Sequence, residues 1–362
     1  MDKRLWADRL TKVNDKIAWS TWSILSAKPR VELVHQRDIP GEPGDYEFVR
    51  RCVGPAYIEP RFGYVIGGNS YLIEESLLPN FSFHKPPWRI GLASSRDFAK
   101  TRRGRGKRIE YHPKVISLRH FWEWNYYHFY LDVLGKIQLF DEVGIDPTTP
   151  IVLGRYAMEL PFVQQVISQG DLQKRNWIIQ DNCYVLADEV YYCRTRQRYK
   201  DKMDHVMDLM GVSNHIDHYN DRVFLTRKKD GPRSILNMDQ VEPVLCEYDF
   251  HIVDTAQMPI SEQIDIFSKA RYLLAVHGAG MTNLMYRRDA PMSVLEIHAI
   301  GFVGDDAHEL YRRVDFRNMC REWGHQFYRL ACRPGGNPDP LHASIYIDPT
   351  ELRQKIEQML AA

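Results

Sequence analysis

"RYLLAVHGAGMTNLMY", residues 271–286, carries a short apolar run into a histidine and two closely spaced glycines, then resumes with helix-forming residues. An apolar run of this length, without alternation, reads as a strand buried on both faces. Gly278 and Gly280 then let the backbone turn and approach a ligand with no Cβ in the way. The amides that open the following helix would face an anion.

The neighbouring sequence repeats the unit. Strand "RVFLTR" from 222, a helix over 238–248, strand "FHIVD", a helix over 260–269, strand "RYLLAVH", the glycine turn with its helix, and strand "SVLEIH" follow one another with short connections. This β-α-β-α-β-α-β order is the signature of a parallel sheet wrapped by helices. A Rossmann-like domain is expected, with the glycine turn at the carboxyl edge of its sheet, where ligands of open α/β folds bind.

A chain of 362 residues exceeds one typical domain, so two are expected. With 48 basic and 47 acidic residues the net charge is +1, which points away from a nucleic-acid partner. No signal-like or membrane-spanning apolar run is found, so a soluble, cytoplasmic protein is expected. The six cysteines are widely scattered and form no C-x-x-C pair, which suits reduced core thiols better than zinc or disulfides. One basic cluster, "KTRRGRGKR" at 100–108, reads as a solvated loop or as a contact for an anionic acceptor or membrane.

The first half opens with short β-like runs, "RVELVH", "GYVIGG", "NSYLIEE" and "HPKVISL". A long helix over about 122–141 follows, then strand "PIVLG", helix "LPFVQQVISQ", and strands "NWIIQ" and "CYVLADEVYYC". An α/β domain with an antiparallel opening is expected over 1–205 and the second domain over 206–348, joined in the polar stretch 194–221. The terminal segment 349–362 holds a helix with an apolar stripe, Leu352, Ile356, Met359 and Leu360.

Three groups of residues carry chemistry. Arg227 and Arg233 lie on the loop after strand 222–226, with Asn237 just before the next helix. A guanidinium fork suits a diphosphate better than a lysine does, and the plain alternative is a solvated basic loop with an asparagine cap. His277, Gly278, Ala279, Gly280 and Asn283 make the glycine turn, a G-x-G-x-x-N pattern in which Asn283 stands where a dinucleotide fingerprint wants glycine or alanine. The third group is "HFWEWNYYHFYLDVLGKIQLF", 120–140, where Asn125, His128 and Asp132 fall within an arc of roughly 60° on an α-helix. His128 beside Asp132 makes a carboxylate-oriented base or a satisfied core pair.

Taken in order, "NYYHFYLDVLGKI", "VFLTRKK" with "RSILN", "HGAGMTNLMY" and "SVLEIH" resemble the motifs of the family-61 glycosyltransferases, over roughly residues 45–330. The resemblance implies a GT-B type α/β fold, two Rossmann-like domains facing a central cleft, and an inverting transferase. The carboxy-terminal half would hold a nucleotide sugar, with UDP the expected nucleotide, through Arg227, Arg233, Asn237, His277 and the Gly278 to Asn283 turn. Glu296 of "VLEIH" would meet the ribose, or be a buried strand carboxylate satisfied by its neighbours. The amino-terminal half would supply His128 and Asp132 as candidate base and Asn125 as an acceptor contact. The terminal helix would return to the first domain. A bacterial enzyme of surface polysaccharide assembly is implied, with a glycan acceptor that is lipid-linked in many such pathways. Trp6, Trp19 and Trp22, with Lys3, Arg4, Arg9, Lys12 and Lys16, would then offer a peripheral membrane contact or simply pack on the core.

Inverting transfer needs a base on the acceptor oxygen and positive charge at the departing diphosphate. No D-x-D occurs in the chain, "EYD" at 247–249 being the nearest, so no metal or other cofactor is expected. Two rival readings remain: a nucleotide- or carbohydrate-binding protein without transferase activity, and a dinucleotide-dependent oxidoreductase.

Overall fold

The structure is a computed structural model that describes residues 30–39, 46–67, 72–73, 76, 96–195, 200–213, 221–229, 231–301, 316–337, 339–340 and 342–361. The tryptophans and basic residues of the amino-terminal segment lie outside these, as do most of "NSYLIEE" and part of the polar stretch 194–221. Contacts divide the chain into two units. One comprises Met1–Trp124, Asp132–Leu160 and Lys174–Arg196, the other Asn125–Leu131, Pro161–Gln173 and Gln197–Ala362.

The first unit is built on β1 (Arg30–Asp38), β2 (Tyr46–Ile58), β3 (Val65–Gly67), β4 (Ile109–Ser117), β5 (Ile151–Gly154), β6 (Trp177–Gln180) and β7 (Tyr184–Arg194). Their order is β1-β2-β7-β4-β5-β6, with β3 on β2. Strands β7, β4, β5 and β6 pair in parallel, while β1, β2 and β3 form an antiparallel flank. This is an α/β sheet with an antiparallel opening.

The second unit is more regular. Its strands are β8 (Asp221–Leu225), β9 (His251–Val253), β10 (Ala270–Val276), β11 (Ser293–Ala299), β12 (Gln326–Gly335) and β13 (Ser344–Tyr346), in the order β13-β12-β11-β10-β8-β9. The first five pair in parallel and β13 is antiparallel on the edge. Counting the parallel strands along the chain gives the order second-first-third-fourth-fifth, that of a doubly wound sheet. In this order the chain leaves β8 to one side and returns through β10 on the other. The carboxyl ends of β8 and β10 therefore flank the topological switch point. Every residue of β11 is buried, as expected for a strand covered on both faces.

The terminal helix Pro349–Leu360 is capped by Asp348, which accepts from the amides of Thr350 and Glu351 at 2.8 and 3.1 Å. The return to the first domain implied by the resemblance gives way to another packing. Leu352, Ile356 and Met359 are buried in the apolar core of the second unit, with Val241, Val244 and Leu245 of the helix Met238–Glu247.

Two helices differ from their sequence reading. The helix expected over 122–141 starts at Tyr126 and widens into a π-helical stretch, Phe129–Leu134, before resuming at Lys136–Glu142. After the glycine turn, Ala279–Tyr286 is a tight 3-10 helix rather than an α-helix. All six cysteines are free thiols. Among the described residues no helix is long and apolar enough to cross a membrane.

Candidate functional site

The switch point of the second sheet is lined by arginine. Arg227 follows β8, and Arg233 sits six residues on with φ +63°, a left-handed backbone rare for a residue with a side chain. Both are half-buried. Neither guanidinium makes a hydrogen bond or ion pair among the described residues, and Nε of Arg233 is buried without a partner. Burial lowers the pKa of Arg227, which the charge of Asp254 partly offsets. Burial, and then the charge of Arg227, bring Arg233 down to about 10. Among the described residues no carboxylate is ion-paired with either of these two adjacent cations.

Gly278 makes room for them. A Cβ there would collide with Nη1 of Arg227, lying 3.0 Å from its Cζ and 3.5 Å from Nη1 of Arg233. Its φ of 162° is ordinary extended backbone, so the glycine is required by the close approach and not by its own conformation. Ala279 and Gly280 are half-buried and open the 3-10 helix, and the amide of Met281 closes its first turn on the Gly278 carbonyl at 2.9 Å.

His277 immediately precedes this glycine. Its Nδ1 lies 2.6 Å from Oε1 of Glu296, whose Oε2 accepts from Nε of Arg329 at 3.2 Å. Strand register explains the line: Glu296 on β11 is the direct partner of Arg329 on β12 and of Ala275 on β10, two residues before His277. Burial pushes the Glu296 carboxyl up, but the hydrogen bond from His277 and the charges of His277, Arg329 and His298 outweigh it and hold it below its usual value. Glu296, expected at a ribose, is thus 1% exposed with both oxygens engaged by the protein.

Asn283 and Asn237 are likewise occupied. The fully buried Asn283 accepts from the Tyr126 hydroxyl at 2.5 Å and donates to Gln263 at 2.9 Å. Tyr130 and Tyr286 share a hydroxyl hydrogen bond at 2.8 Å beside it, and burial raises the pKa of all three tyrosines. Asn283 therefore fastens the start of the helix at Tyr126 to the 3-10 helix of the glycine turn. Asn237 donates to the carbonyl of Ile347 at 2.8 Å and accepts from its amide at 3.0 Å, tying the helix it precedes to the chain after β13.

Asn125 is the N-cap of the helix that carries His128, its Oδ1 accepting from the amides of Tyr127 and His128 at 3.0 and 3.4 Å. His128 is half-buried and Asp132 buried, one turn on, within the π-helical stretch. π-Helical turns concentrate at functional sites.

His120, just past the end of β4, joins them, its Nε2 lying 3.8 Å from Oδ2 of Asp132. Buried Lys136 steadies this strand end by donating to the carbonyls of Leu118 and Arg119 at 3.3 and 3.1 Å. Sequence reading missed His120, although its place directly after a buried parallel strand was a usable signal. The Trp122 amide donates to Nδ1 of His120 at 3.2 Å, so neutral His120 carries its proton on Nε2, the nitrogen that faces Asp132.

The model of the Glycosyltransferase 61 family matches residues 126–293, from the start of the His128 helix through the glycine turn to the first residue of β11. A comparison with curated proteins finds no match. The second sheet is that of a doubly wound α/β protein, with Arg227 and Arg233 at its switch point. Over residues 126–293 the chain is similar to the glycosyltransferases of family 61.

Proposed function

We propose that the chain is an inverting, metal-independent glycosyltransferase of GT-B type that moves a sugar from a nucleoside-diphosphate donor, UDP-linked in the first instance, to a glycan hydroxyl in surface polysaccharide assembly. The observation that carries this reading is the pair Arg227 and Arg233, half-buried and without an ion-paired carboxylate among the described residues, against Gly278 at the switch point of the second sheet. A diphosphate supplies the missing charge. As the donor bond breaks, negative charge grows on the departing phosphate, and two fixed guanidinium groups stabilise it without a metal.

Asp132 and His128 are the candidate base. Either takes the hydroxyl proton in this reading, with Nε2 of His120 3.8 Å from Oδ2 of Asp132. The acceptor and its anchorage, lipid-linked glycan at the inner face of the plasma membrane, belong to the same proposal. A melting-temperature screen across UDP, GDP, CMP and dTDP tests the donor. The diphosphates should stabilise the protein, by about 2.7 kcal/mol at a hundred times the dissociation constant, and CMP much less. Asp132→Asn should bind UDP normally while transfer falls by about 10² to 10⁴. Stabilisation by NAD and by no nucleoside diphosphate would favour an oxidoreductase instead.

A further inference from the structure

Glu296 cannot serve a ribose while its oxygens hold His277 and Arg329, so a nucleoside at the arginine site needs another acceptor for its sugar hydroxyls. The edge of the same sheet offers one. β9 lies beside β8, Leu225 pairs in register with Val253, and the Thr226 amide donates to the Val253 carbonyl at 2.9 Å. The chain therefore leaves the two strands side by side, with Arg227 two residues past β8 and Asp254 and Thr255 the first two residues past β9. The glycine turn spans both. Gly278 lies against the guanidinium groups, and a Cβ at Gly280 would stand 3.1 Å from Cδ2 of Leu225 and 3.5 Å from Oγ1 of Thr255. The two residues of chain between these glycines reach at most about 7 Å, a step on the scale of one sugar ring.

Asp254 is exposed, and its carboxylate is held from one side only. Oδ1 accepts from the Ala256 amide at 3.0 Å, while among the described residues Oδ2 accepts no hydrogen bond and neither oxygen is ion-paired. Its charge nevertheless reaches Arg227, where it opposes the effect of burial. A carboxylate beside an anion site repels free phosphate, but it accepts from a vicinal diol in hydrogen bonds strengthened by its charge. The ligand that this edge fits is anionic at one end and carries a neutral diol at the other. β9 is also the second parallel strand of this sheet along the chain, the place from which an acidic residue takes the ribose hydroxyl in nucleotide-binding sheets of this kind.

We propose that Asp254, with Thr255 beside it, is the ribose contact of this site: its carboxylate accepts from the 2′ and 3′ hydroxyls of a ribonucleoside diphosphate whose phosphates lie on Arg227 and Arg233. The site thereby selects ribonucleotide over deoxyribonucleotide donors. This inference rests on reading the Arg227 and Arg233 site as the diphosphate site.

The test is calorimetry of UDP, 2′-deoxyuridine diphosphate and inorganic pyrophosphate against the intact protein, comparing wild type with Asp254→Asn, Asp254→Ala and Arg227→Ala. Asp254→Asn keeps an oxygen for the Ala256 amide at an exposed position, so the loop keeps its shape. Wild type should bind UDP about ten- to a hundredfold more tightly than its 2′-deoxy analogue, the worth of one hydrogen bond to a charged group. In both Asp254 variants that preference should largely vanish, while pyrophosphate binds at least as tightly as to wild type because a repelling charge has gone. No preference for UDP in wild type, or a preference that survives both Asp254 variants, would overturn the ribose contact. Equal loss of UDP and pyrophosphate in those variants would overturn it too, since the loop would then act on the phosphates alone. In each of these cases marked weakening of all three ligands by Arg227→Ala leaves the diphosphate site standing. Undiminished pyrophosphate binding by Arg227→Ala would overturn the diphosphate-site reading and this inference with it.

Discussion

Two arginine sites, one in each unit, lie against glycines and end differently. In the first unit the buried Arg119 donates from Nε to both oxygens of Glu123 at 3.1 and 3.0 Å, from Nη2 to the Pro60 carbonyl at 3.1 Å, and from Nη1 to Gln180. A Cβ on Gly63, whose φ is +78°, would collide with its Cβ. In the second unit Arg227 and Arg233 crowd Gly278 in the same way, yet have no such partners. Burial and glycine contact alone thus do not mark a ligand site. What separates the two is completeness: one guanidinium has its hydrogen bonds and an ion-paired carboxylate within the fold, whereas among the described residues the other two make no hydrogen bond or ion pair.

The largest expected effect is on the completed site. Glu123→Ala leaves Arg119 buried without its carboxylate and should lower the free energy of unfolding by about 3 to 5 kcal/mol, read from urea denaturation. A smaller loss would mean that Gln180 and Pro60 suffice, and the contrast would weaken.

Next comes acid. His325 is another fully partnered group: the Met292 amide donates to its Nδ1 at 3.2 Å, and its Nε2 donates to the Leu284 carbonyl at 3.3 Å. Burial above all brings its pKa down to about 4 from an unfolded value of 6.5. The unfolded chain therefore takes up the proton first as pH falls. The stability of the neutral group is complete above 6.5 and is lost towards about 4, by roughly 3 kcal/mol at most. Unfolding curves across this range should show the loss, and His325→Gln should flatten it.

On the incomplete site the expected effects move from stability to binding. Arg227→Ala should change unfolding by less than about 1 kcal/mol, since no internal partner is orphaned, but weaken UDP by about 1.5 to 3 kcal/mol. Gly278→Ala is smaller again. The new methyl meets the far end of a flexible side chain, so the protein should fold with Arg227 displaced and UDP affinity reduced by about 1 kcal/mol.

Much of the second unit was legible because its strands are short apolar runs punctuated by glycine, and the terminal helix spans Pro349–Leu360 as its stripe and Asp-Pro start indicate. Arg227 and Gly278 were read in separate motifs 51 residues apart, and only the strand order brings them into contact. Helical arithmetic assumes α geometry, whereas the stretch 129–134 is π-helical and bonds i to i+5, which periodicity does not reveal. For Glu296 the sequence left open a ribose contact or a buried carboxylate satisfied by its neighbours, because residue type shows what a side chain is able to bond and not what already bonds it; His277 and Arg329 are those neighbours. His120 went unread because its partner Asp132 is twelve residues away across a strand-to-helix turn.

Metal-free binding of a nucleoside diphosphate by Arg227 and Arg233 is read by calorimetric titration of UDP in the presence of EDTA. Wild type should bind as tightly with EDTA as without, and a folded Arg227→Ala, Arg233→Ala double variant should not bind measurably. Equal binding by the double variant, or binding by wild type that appears only when a divalent metal is restored, would contradict it.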